Sequence, residues 1–176
     1  MANGRVRDLA KRYYIAYGSN LNVQQMQMRC PHAKVVGTAI LEGWELLFKG
    51  SKTGSYLTIE KCDGGVVPVA VWEVTESDEA ALDRYEGFPV FYYKKELRVN
   101  LRGIRLGKNK PVTAFVYIMD ETRPLGRPTD YYLRVCREGY EQFGFDPAIL
   151  MQAVERSTRL YNTQFPGRIL VHVMVR

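Results

Sequence analysis

Two groups of residues in this chain have the types and spacing to do chemistry. The first is the run Tyr17-Gly18-Ser19-Asn20-Leu21, which follows a short apolar strand and precedes a helix. Gly18 permits a positive φ, and the short polar side chains of Ser19 and Asn20 favour a turn. The first backbone N–H groups of such a turn and helix lack acceptors within the helix. They would attract a carboxylate or a polarised carbonyl oxygen, so the loop predicts a site for a small anionic ligand.

The second group is a carboxylate, Glu86, at the end of a predicted helix and immediately before Gly87. The C-terminus of a helix carries partial negative charge, which disfavours an acid there unless the acid has a partner or a task. The aromatic neighbours Tyr85, Phe88 and Phe91 would partly desolvate the carboxyl group and raise its pKa towards the range of a general acid or base. Taken alone, Glu86 is also typical of a solvated surface group, and both interpretations stay open at this point.

Other kinds of site lack the pattern that they need. His32 and His172 lie far apart in sequence and in no metal-ligand spacing, so no zinc site is expected. The segment Gly50-Ser51-Lys52-Thr53 lacks the earlier glycine and the glycine-lysine adjacency of a phosphate loop. Ser19 does not lie in a G-x-S-x-G elbow. We therefore expect neither a metal nor a cofactor.

The elements that must position these residues are predicted from periodicity and from turn and capping residues. A helix is predicted over 23–29, with Asn22 as its N-cap and Gln25 closing a capping box. Strands are predicted at 14–16, 35–41, 44–48, 56–61, 66–74, 91–101 and 111–119, where β-branched and aromatic residues are frequent. The short spacing between successive strands implies that neighbours are antiparallel.

Three later helices are predicted by their capping residues and apolar faces. The first begins at Thr75, with Asp78 in its capping box, and ends at Gly87. The second is capped by Thr129 or Asp130 and runs to Phe143. The third has Asp146 as N-cap and Pro147 at its first position, and it ends near Arg159. The predicted fold is α+β, a small and mostly antiparallel β-barrel with flanking helices.

Length and composition indicate one globular domain. The chain has 176 residues, of which 46% are hydrophobic, enough for one core. No apolar stretch approaches the length of a membrane span, and the first dozen residues show no secretory signal, so the sequence favours a cytoplasmic protein without membrane association. The three cysteines are widely spaced and are expected to be reduced thiols.

The net charge of +6 is concentrated in one segment. Between Lys94 and Lys110, seven basic residues oppose the single acid Glu96, which accounts for the whole excess. The segment 94–110 alternates as a strand and turns at glycines, so it predicts an exposed hairpin whose basic side chains protect a sheet edge. No recognition helix or aromatic stacking motif accompanies it, so a nucleic-acid partner is not favoured.

The motifs together resemble the γ-glutamylcyclotransferase-like family. The matching features are Tyr17-Gly18-Ser19-Asn20-Leu21 after an N-terminal strand, Glu86-Gly87 ending a short helix, and Pro128-Thr129-x-x-Tyr132 opening a late helix. Thr58-Ile59 before a Gly-Gly turn and the strand Val69-Ala70-Val71-Trp72 also agree. The resemblance covers 13–158, which leaves 1–12 as an N-terminal extension and 159–176 as a C-terminal tail or an extra edge strand.

The resemblance implies a barrel whose cavity holds a γ-glutamyl group, and an enzyme that forms 5-oxoproline without a cofactor. The α-amine of the substrate attacks its own γ-carbonyl, and the bond to the partner amine breaks. By the same resemblance Glu86 moves the protons as general acid and base. The residues implied in substrate binding are Tyr17, Gly18, Ser19, Asn20, Leu21, Tyr117 and Tyr132.

Several alternatives stay open at this level. Tyr85 and Phe88-Pro89, which flank Glu86-Gly87, depart from the better-known family members, so the partner amine is not assigned. Both a monomer and a homodimer are compatible with the sequence. The alternative function is a catalytically idle module that binds a small molecule or a partner through the same cavity and the basic 94–110 hairpin.

Overall fold

The computed structural model describes residues 11–51, 54–103 and 109–167. The elements in these ranges are β1 (Arg12–Ala16), a 3-10 turn (Ser19–Leu21), α1 (Val23–Arg29), β2 (Lys34–Ser51), β3 (Gly54–Val74), α2 (Glu76–Glu86), β4 (Tyr92–Gly103), β5 (Asn109–Met119), α3 (Asp130–Gln142) and α4 (Ala148–Gln164). The predicted edge strand at 169–175, and Arg105 and Lys108 of the basic segment, lie outside the described residues.

The strands close into a barrel in the order β1-β3-β2-β4-β5. Pairing is antiparallel from β1 through to β5, and a parallel pair between β1 and β5 completes the ring. In that parallel pair Tyr14 lies opposite Phe115 and Ile15 opposite Val116. Buried apolar side chains of all five strands fill the interior. The predicted α+β fold, a small and mostly antiparallel barrel with flanking helices, is confirmed.

Four of the predicted strands are two long strands in the structure. The segments 35–41 and 44–48 belong to β2, and 56–61 and 66–74 belong to β3. The prediction that Gly43 interrupts the strand is wrong, because Gly43 has a φ of 76° and forms a bulge where the register shifts between Glu42 and Trp44. Gly64, with a φ of 74°, lies in the part of β3 opposite this shift. A bulge and a turn both use left-handed glycine, so their local sequence signals are alike.

The pairing between β2 and β4 is short. Among the described residues it consists of Gly37 opposite Gly103 and Thr38 opposite Arg102. A Cβ atom at Gly37 would lie 2.2 Å from the carbonyl oxygen of Arg102, so the close approach of the two strands requires glycine. We call these two residue pairs the β2–β4 seam.

The first three α-helices begin where their capping residues predict. Asn22, Thr75 and Thr129 are the N-caps of α1, α2 and α3, and each side chain accepts a hydrogen bond from a backbone N–H of the first turn. Thr75 and Asp78 form the complete, reciprocal capping box that the sequence predicts. The start of α2, which ends at Glu86, is therefore fixed by local interactions.

The last helix differs from its prediction at both ends. It begins at Ala148, one residue later than predicted, although Asp146 Oδ1 still accepts a hydrogen bond from the Ala148 N–H at 2.9 Å. It continues across residue 158, the predicted end of the domain, as far as Gln164. No helix within the described ranges combines the length and hydropathy needed to cross a membrane.

Two helices contact the parts of the fold around the site, α3 at the loop after β1 and α4 at β2. Gly139 of α3 lies against the 3-10 turn, where a Cβ atom would be 2.6 Å from Cβ of Leu21 and 2.7 Å from the backbone nitrogen of Asn22. Ser157 of α4 accepts a hydrogen bond from the buried Phe48 N–H of β2 at 2.8 Å. The helix α3 therefore packs directly on the loop that carries the predicted chemistry, whereas α4 packs on the barrel wall.

Candidate active site

The loop after β1 forms a 3-10 turn with Gly18 as its N-cap. Leu21 and Asn22 donate the two backbone hydrogen bonds of this turn. The N–H groups of Ser19 and Asn20 come before these donors and therefore have no acceptor within the turn. The loop thus keeps the backbone donors from which an anion site was predicted.

Gly18 does not use a positive φ, and that part of the prediction is wrong. Its φ is −120°, which residues other than glycine also adopt. Space is the physical reason for glycine, because a Cβ atom would lie 3.1 Å from the hydroxyl oxygen of Tyr132 and 3.5 Å from Cβ of Leu57. Gly18 therefore lets the loop approach α3 and β3 closely.

The first turn of α1 is only half of the predicted capping box. Asn22 Oδ1 accepts a hydrogen bond from the Gln25 N–H at 3.1 Å, as predicted. The side chain of Gln25 does not return to Asn22, because its Oε1 accepts a hydrogen bond from Arg29 Nη2 at 2.7 Å. Gln25 consequently helps to hold Arg29 at the end of the same helix.

The helix α2 carries Glu86 at its last position. Gly87 ends the helix in the left-handed conformation, with a φ of 65°. One turn earlier, Asp83 forms an ion pair with Lys94 of β4 at 2.7 Å and accepts a hydrogen bond from the Tyr117 hydroxyl at 2.5 Å. These contacts attach the C-terminal turn of α2 to the barrel wall beside Glu86.

The carboxyl group of Glu86 faces inward, and the side chain as a whole is partly buried. Asn20 Nδ2 donates a hydrogen bond to Glu86 Oε1 at 2.9 Å. Burial raises the pKa of Glu86 from its ordinary value of 4.5 to about 7, while the charge of Arg29 and the hydrogen bond from Asn20 act in the opposite direction. A carboxyl group with this pKa can both accept and donate a proton near neutral pH.

Glu86 lies where two concave spaces meet. An inner cavity of about 30 Å³ is lined by Tyr14, Tyr17, Gly18, Ser19, Asn20, Leu57, Glu86, Tyr92, Tyr117 and Tyr132. An outer cleft of about 290 Å³ is lined by Ser19, Tyr56, Arg84, Tyr85, Glu86, Gly87, Phe91, Tyr92 and Tyr132. The inner cavity has room for about one water molecule, whereas the outer cleft is large enough for part of a small ligand.

The structure brings most of the predicted site residues to the inner cavity. Glu86, Tyr17, Gly18, Ser19, Asn20, Tyr117 and Tyr132 all line it. Leu21 is the exception: its side chain is completely buried in the core and faces Gly139 of α3 instead. Consecutive side chains of a 3-10 turn point in different directions, so Leu21 cannot face the same side as Ser19 and Asn20.

The hydroxyl groups of the predicted tyrosines have partners within the protein. Tyr17 donates to the carbonyl oxygen of Tyr117 at 2.7 Å. Tyr132 accepts from the Leu57 N–H at 3.2 Å. These hydrogen bonds fix the rings around the cavity, and burial raises the pKa values of both phenols, so both remain neutral.

Ser19 lacks the partner that a nucleophile needs. Its Oγ lies 3.2 Å from the hydroxyl group of Tyr85, whose pKa is raised by burial. A phenol that holds its proton is not a base, so this contact does not activate Ser19. No group of three or more potential metal ligands occurs among the residues that the structure describes.

Sequence reasoning missed several residues of the site. Tyr14, Leu57 and Tyr92 line the inner cavity and were predicted only as strand residues. Arg29 donates from Nη1 to Asn20 Oδ1 at 2.7 Å, and its guanidinium carbon lies 3.7 Å from the ring centre of Tyr85. The inward direction of Tyr14 follows from strand alternation, but nothing local in the sequence indicates what Arg29 contacts.

Comparisons with known proteins agree with this geometry. The family model described as "Gamma-glutamyl cyclotransferase, AIG2-like" matches residues 14–134. A γ-glutamylcyclotransferase of Mus musculus is 30% identical over 141 residues, which cover 74% of this chain and 71% of the relative. A γ-glutamylcyclotransferase of Bos taurus is 29% identical over 157 residues, which cover 82% of this chain and 80% of that relative. A solved structure named "Gamma-glutamyl cyclotransferase" superposes with a TM-score of 0.67 at 26% identity, covering 84% of this chain and 86% of the other.

Proposed function

This chain belongs to the γ-glutamyl cyclotransferase, AIG2-like family, and on that premise we propose that it releases 5-oxoproline from a γ-glutamyl amide or peptide, with Glu86 as general acid and base. The observation that carries the proposal is the inward-facing carboxyl group of Glu86, at the junction of the inner cavity and the outer cleft. Its raised pKa of about 7 suits proton transfer in both directions.

The proposed proton transfers involve only the substrate and Glu86. The α-amine of the γ-glutamyl group attacks its own γ-carbonyl carbon and gives a proton to the Glu86 carboxylate. The new C–N bond closes the five-membered ring, the old C–N bond breaks, and the protonated Glu86 returns the proton to the leaving amine. An α-amine has a pKa of about 8, so a base with a pKa near 7 is well matched to it. Attack within one bound molecule also avoids the entropy of a bimolecular encounter.

The loop after β1 is proposed to hold the glutamyl group. The backbone N–H groups of Ser19 and Asn20 have no acceptor within their turn and can bind a carboxylate or a developing oxyanion. The side chain of Asn20 is proposed to serve Glu86 rather than the substrate, because both of its N–H groups already donate, to Glu86 and to Tyr14. Ser19 is assigned to the wall of the site.

The leaving amine is proposed to occupy the outer cleft. The inner cavity is too small for a whole γ-glutamyl group, so a bound substrate must extend from it across Glu86 into the cleft. Five aromatic residues and Arg84 line the cleft, and three of the aromatic residues, Tyr56, Tyr85 and Phe91, do not line the inner cavity. This lining favours an apolar amine, and Arg84 favours one that bears a carboxylate.

A substrate panel tests the proposal. We expect 5-oxoproline from at least one member of a set of γ-glutamyl amino acids, γ-glutamyl amines and glutathione-like peptides. Glu86→Gln should lower turnover by at least about a thousandfold and leave substrate affinity, measured by calorimetry, largely unchanged, because the amide keeps the size of the side chain but cannot transfer the proton.

A matched variant controls for the loss of a surface carboxylate. Glu141 is exposed on α3 and pairs with Arg137, so Glu141→Gln should keep normal turnover. Absence of 5-oxoproline from the whole panel would overturn the proposed activity. Normal turnover in Glu86→Gln would remove Glu86 from the mechanism.

The described residues of the basic segment, 94–103 and 109–110, supply no observation that favours a second function. Lys94 is bound by Glu79 and Asp83 of α2, at 2.6 and 2.7 Å. Lys95 has its ammonium group 5.7 Å from the ring centre of Trp44. These two basic side chains therefore have contacts within the fold.

A further inference from the structure

We propose that Arg29 is a positioning residue of this site, which holds the amide of Asn20, and through it the carboxyl group of Glu86, in the geometry for proton transfer. The expected effect of Arg29 on turnover rests on the proposed function. Arg29 is an α1 side chain that touches neither of the two concave spaces. Its action on Glu86 is therefore indirect.

The hydrogen bonds of Asn20 form a chain with a defined direction. Arg29 Nη1 donates to Asn20 Oδ1 at 2.7 Å. Asn20 Nδ2 then donates to Glu86 Oε1 at 2.9 Å and to the Tyr14 hydroxyl oxygen at 2.8 Å. A guanidinium has donors only, so it requires the amide oxygen on its own side and turns the amide nitrogen towards Glu86. Without Arg29, the amide oxygen would lose this donor, and only the acceptors Glu86 and Tyr14 would hold the buried amide in this orientation.

Arg29 is itself fixed in a way that a simpler cation could not reproduce. Its second terminal nitrogen, Nη2, donates to Gln25 Oε1 at 2.7 Å. Its planar guanidinium stacks over Tyr85, 3.7 Å from the ring centre. Tyr85 immediately precedes Glu86, so the stack joins the end of α1 to the last turn of α2. A lysine would keep the charge but lose the two-nitrogen fork and much of the stacking.

Arg29 also supplies the positive charge that acts on the Glu86 carboxylate. That charge opposes the rise that burial causes in the Glu86 pKa. Several buried groups around Glu86 and Arg29 are neutral, because burial raises the pKa of each one: Tyr14 on β1, Tyr17 in the loop after it, Tyr85 on α2, Tyr92 on β4, Tyr117 on β5, and Tyr132 and Cys136 on α3. The charged groups nearby are Arg84, which lines the outer cleft, and Asp83, which is paired with Lys94. Removing the charge of Arg29 should therefore leave burial opposed only by the hydrogen bond from Asn20.

Two substitutions separate the charge of Arg29 from its geometry. Arg29→Met removes both; we expect kcat to fall about tenfold to a hundredfold at neutral pH and the acidic limb of the kcat profile to move to higher pH, by about one pH unit. Arg29→Lys keeps the charge; we expect a smaller movement of the limb but a clear loss of kcat. The exposed Arg137 provides the matched control, and Arg137→Met should change neither quantity.

A spectroscopic readout keeps the inference testable independently of turnover. In protein labelled with ¹³C at glutamate side chains, the Glu86 resonance is identified by its loss in Glu86→Gln and titrated by NMR. We expect its midpoint to rise in Arg29→Met relative to the unsubstituted protein. If no substrate of the panel is turned over, the proposed function fails while this titration still decides the role of Arg29.

Folded variants in which the Glu86 midpoint and the pH profile stay unchanged would overturn the inference. If Arg29→Met does not fold, Arg29→Lys decides the question through its loss of kcat. A further substitution, Asn20→Ala, tests the route: the effect of Arg29→Lys on kcat should nearly vanish in the Asn20→Ala background, because the two residues act in one chain of contacts. An undiminished effect there would contradict the role of the amide.

Discussion

At the scale of single residues, the proton-transfer group opposes the stability of the fold. The folded pKa of Glu86 is about 7 and its ordinary value is 4.5, so the folded chain binds more protons than the unfolded chain between these pH values. The contribution of Glu86 to stability is therefore fully present below pH 4.5 and is lost as the pH rises through 7. Above that pH the folded protein carries a carboxylate that would be better solvated in the unfolded chain.

Glu86→Gln should consequently stabilise the protein at alkaline pH while it removes activity. We expect the free energy of unfolding to rise by roughly 1–3 kcal/mol at about pH 8, and to change little at about pH 4.5, where the carboxyl group is protonated in the fold. Urea denaturation at the two pH values measures the difference. Glu141→Gln should show no such dependence on pH, and an equal effect of Glu86→Gln at both pH values would contradict the burial of a charged group.

The sequence predicts the acid of this site but not the residues that orient it. Glu86 is conspicuous because an acid before a helix-ending glycine is electrostatically unfavourable. Arg29 is an ordinary basic residue in the last turn of a helix, and its contact with Asn20 depends on how α1 folds back over the loop. Leu21 is the opposite case, since it lies within the motif but points into the core. Motif membership alone cannot distinguish a residue that faces the ligand from one that faces the core.

At the scale of elements, α3 packs against the loop after β1 at a glycine, Gly139, which has no side chain. Gly139 allows α3 to approach Leu21 and Asn22 more closely than any Cβ atom would permit. The same helix carries Tyr132 into the site. The distance between the loop and the aromatic wall is therefore set by this glycine.

Gly139→Ala should destabilise the protein although alanine has a higher helix propensity than glycine. Alanine gains about 1 kcal/mol within a helix, but atoms at 2.6 and 2.7 Å must move apart, and overpacking of this kind costs about 3 kcal/mol. We expect a net loss of about 2 kcal/mol in urea denaturation, together with reduced kcat. Gly167→Ala is the matched control, because no atom of the described residues lies within 4 Å of its Cβ position. Equal stability of the two variants would contradict the tight contact.

The elements were predictable where their signals are local. The capping residues of α1, α2 and α3 mark the starts of those helices because a cap involves neighbouring residues only. The long strands β2 and β3 were predicted as four pieces, because the bulge at Gly43 depends on the partner strand. The parallel pairing of β1 with β5 was not predicted for the same reason, since it joins residues about a hundred positions apart.

At the scale of the whole molecule, the number of paired residues differs greatly between neighbouring strands of the barrel. β2 and β3 pair along most of their length, whereas the β2–β4 seam consists of two residue pairs. Among the described residues, few ladder pairs join β2 to β4, and equally few join β1 to β5, so local opening should begin at these two joints rather than along the β2–β3 ladder. The inner cavity is lined by residues of β1, the loop after it, β3, α2, β4, β5 and α3, and none of these residues belongs to the seam.

Hydrogen exchange should reveal this uneven closure. We expect backbone amides of the β2–β4 seam to exchange faster than those of the β2–β3 ladder. Gly37→Ala should accelerate exchange at the seam further and lower the melting temperature, because its Cβ atom would meet the Arg102 carbonyl oxygen. Gly167→Ala again serves as control. Uniform protection around the barrel would contradict the seam as a point of early opening.

The five tyrosines that line the inner cavity also allow the site to be monitored by ultraviolet absorbance. Burial raises the pKa of each of these phenols, so they keep their protons while the fold is intact. A phenolate absorbs at longer wavelength than a phenol, and alkaline titration separates tyrosines by their access to hydroxide. The absorbance of these five rings should therefore change only when the cavity opens, and it provides a label-free optical record of that event.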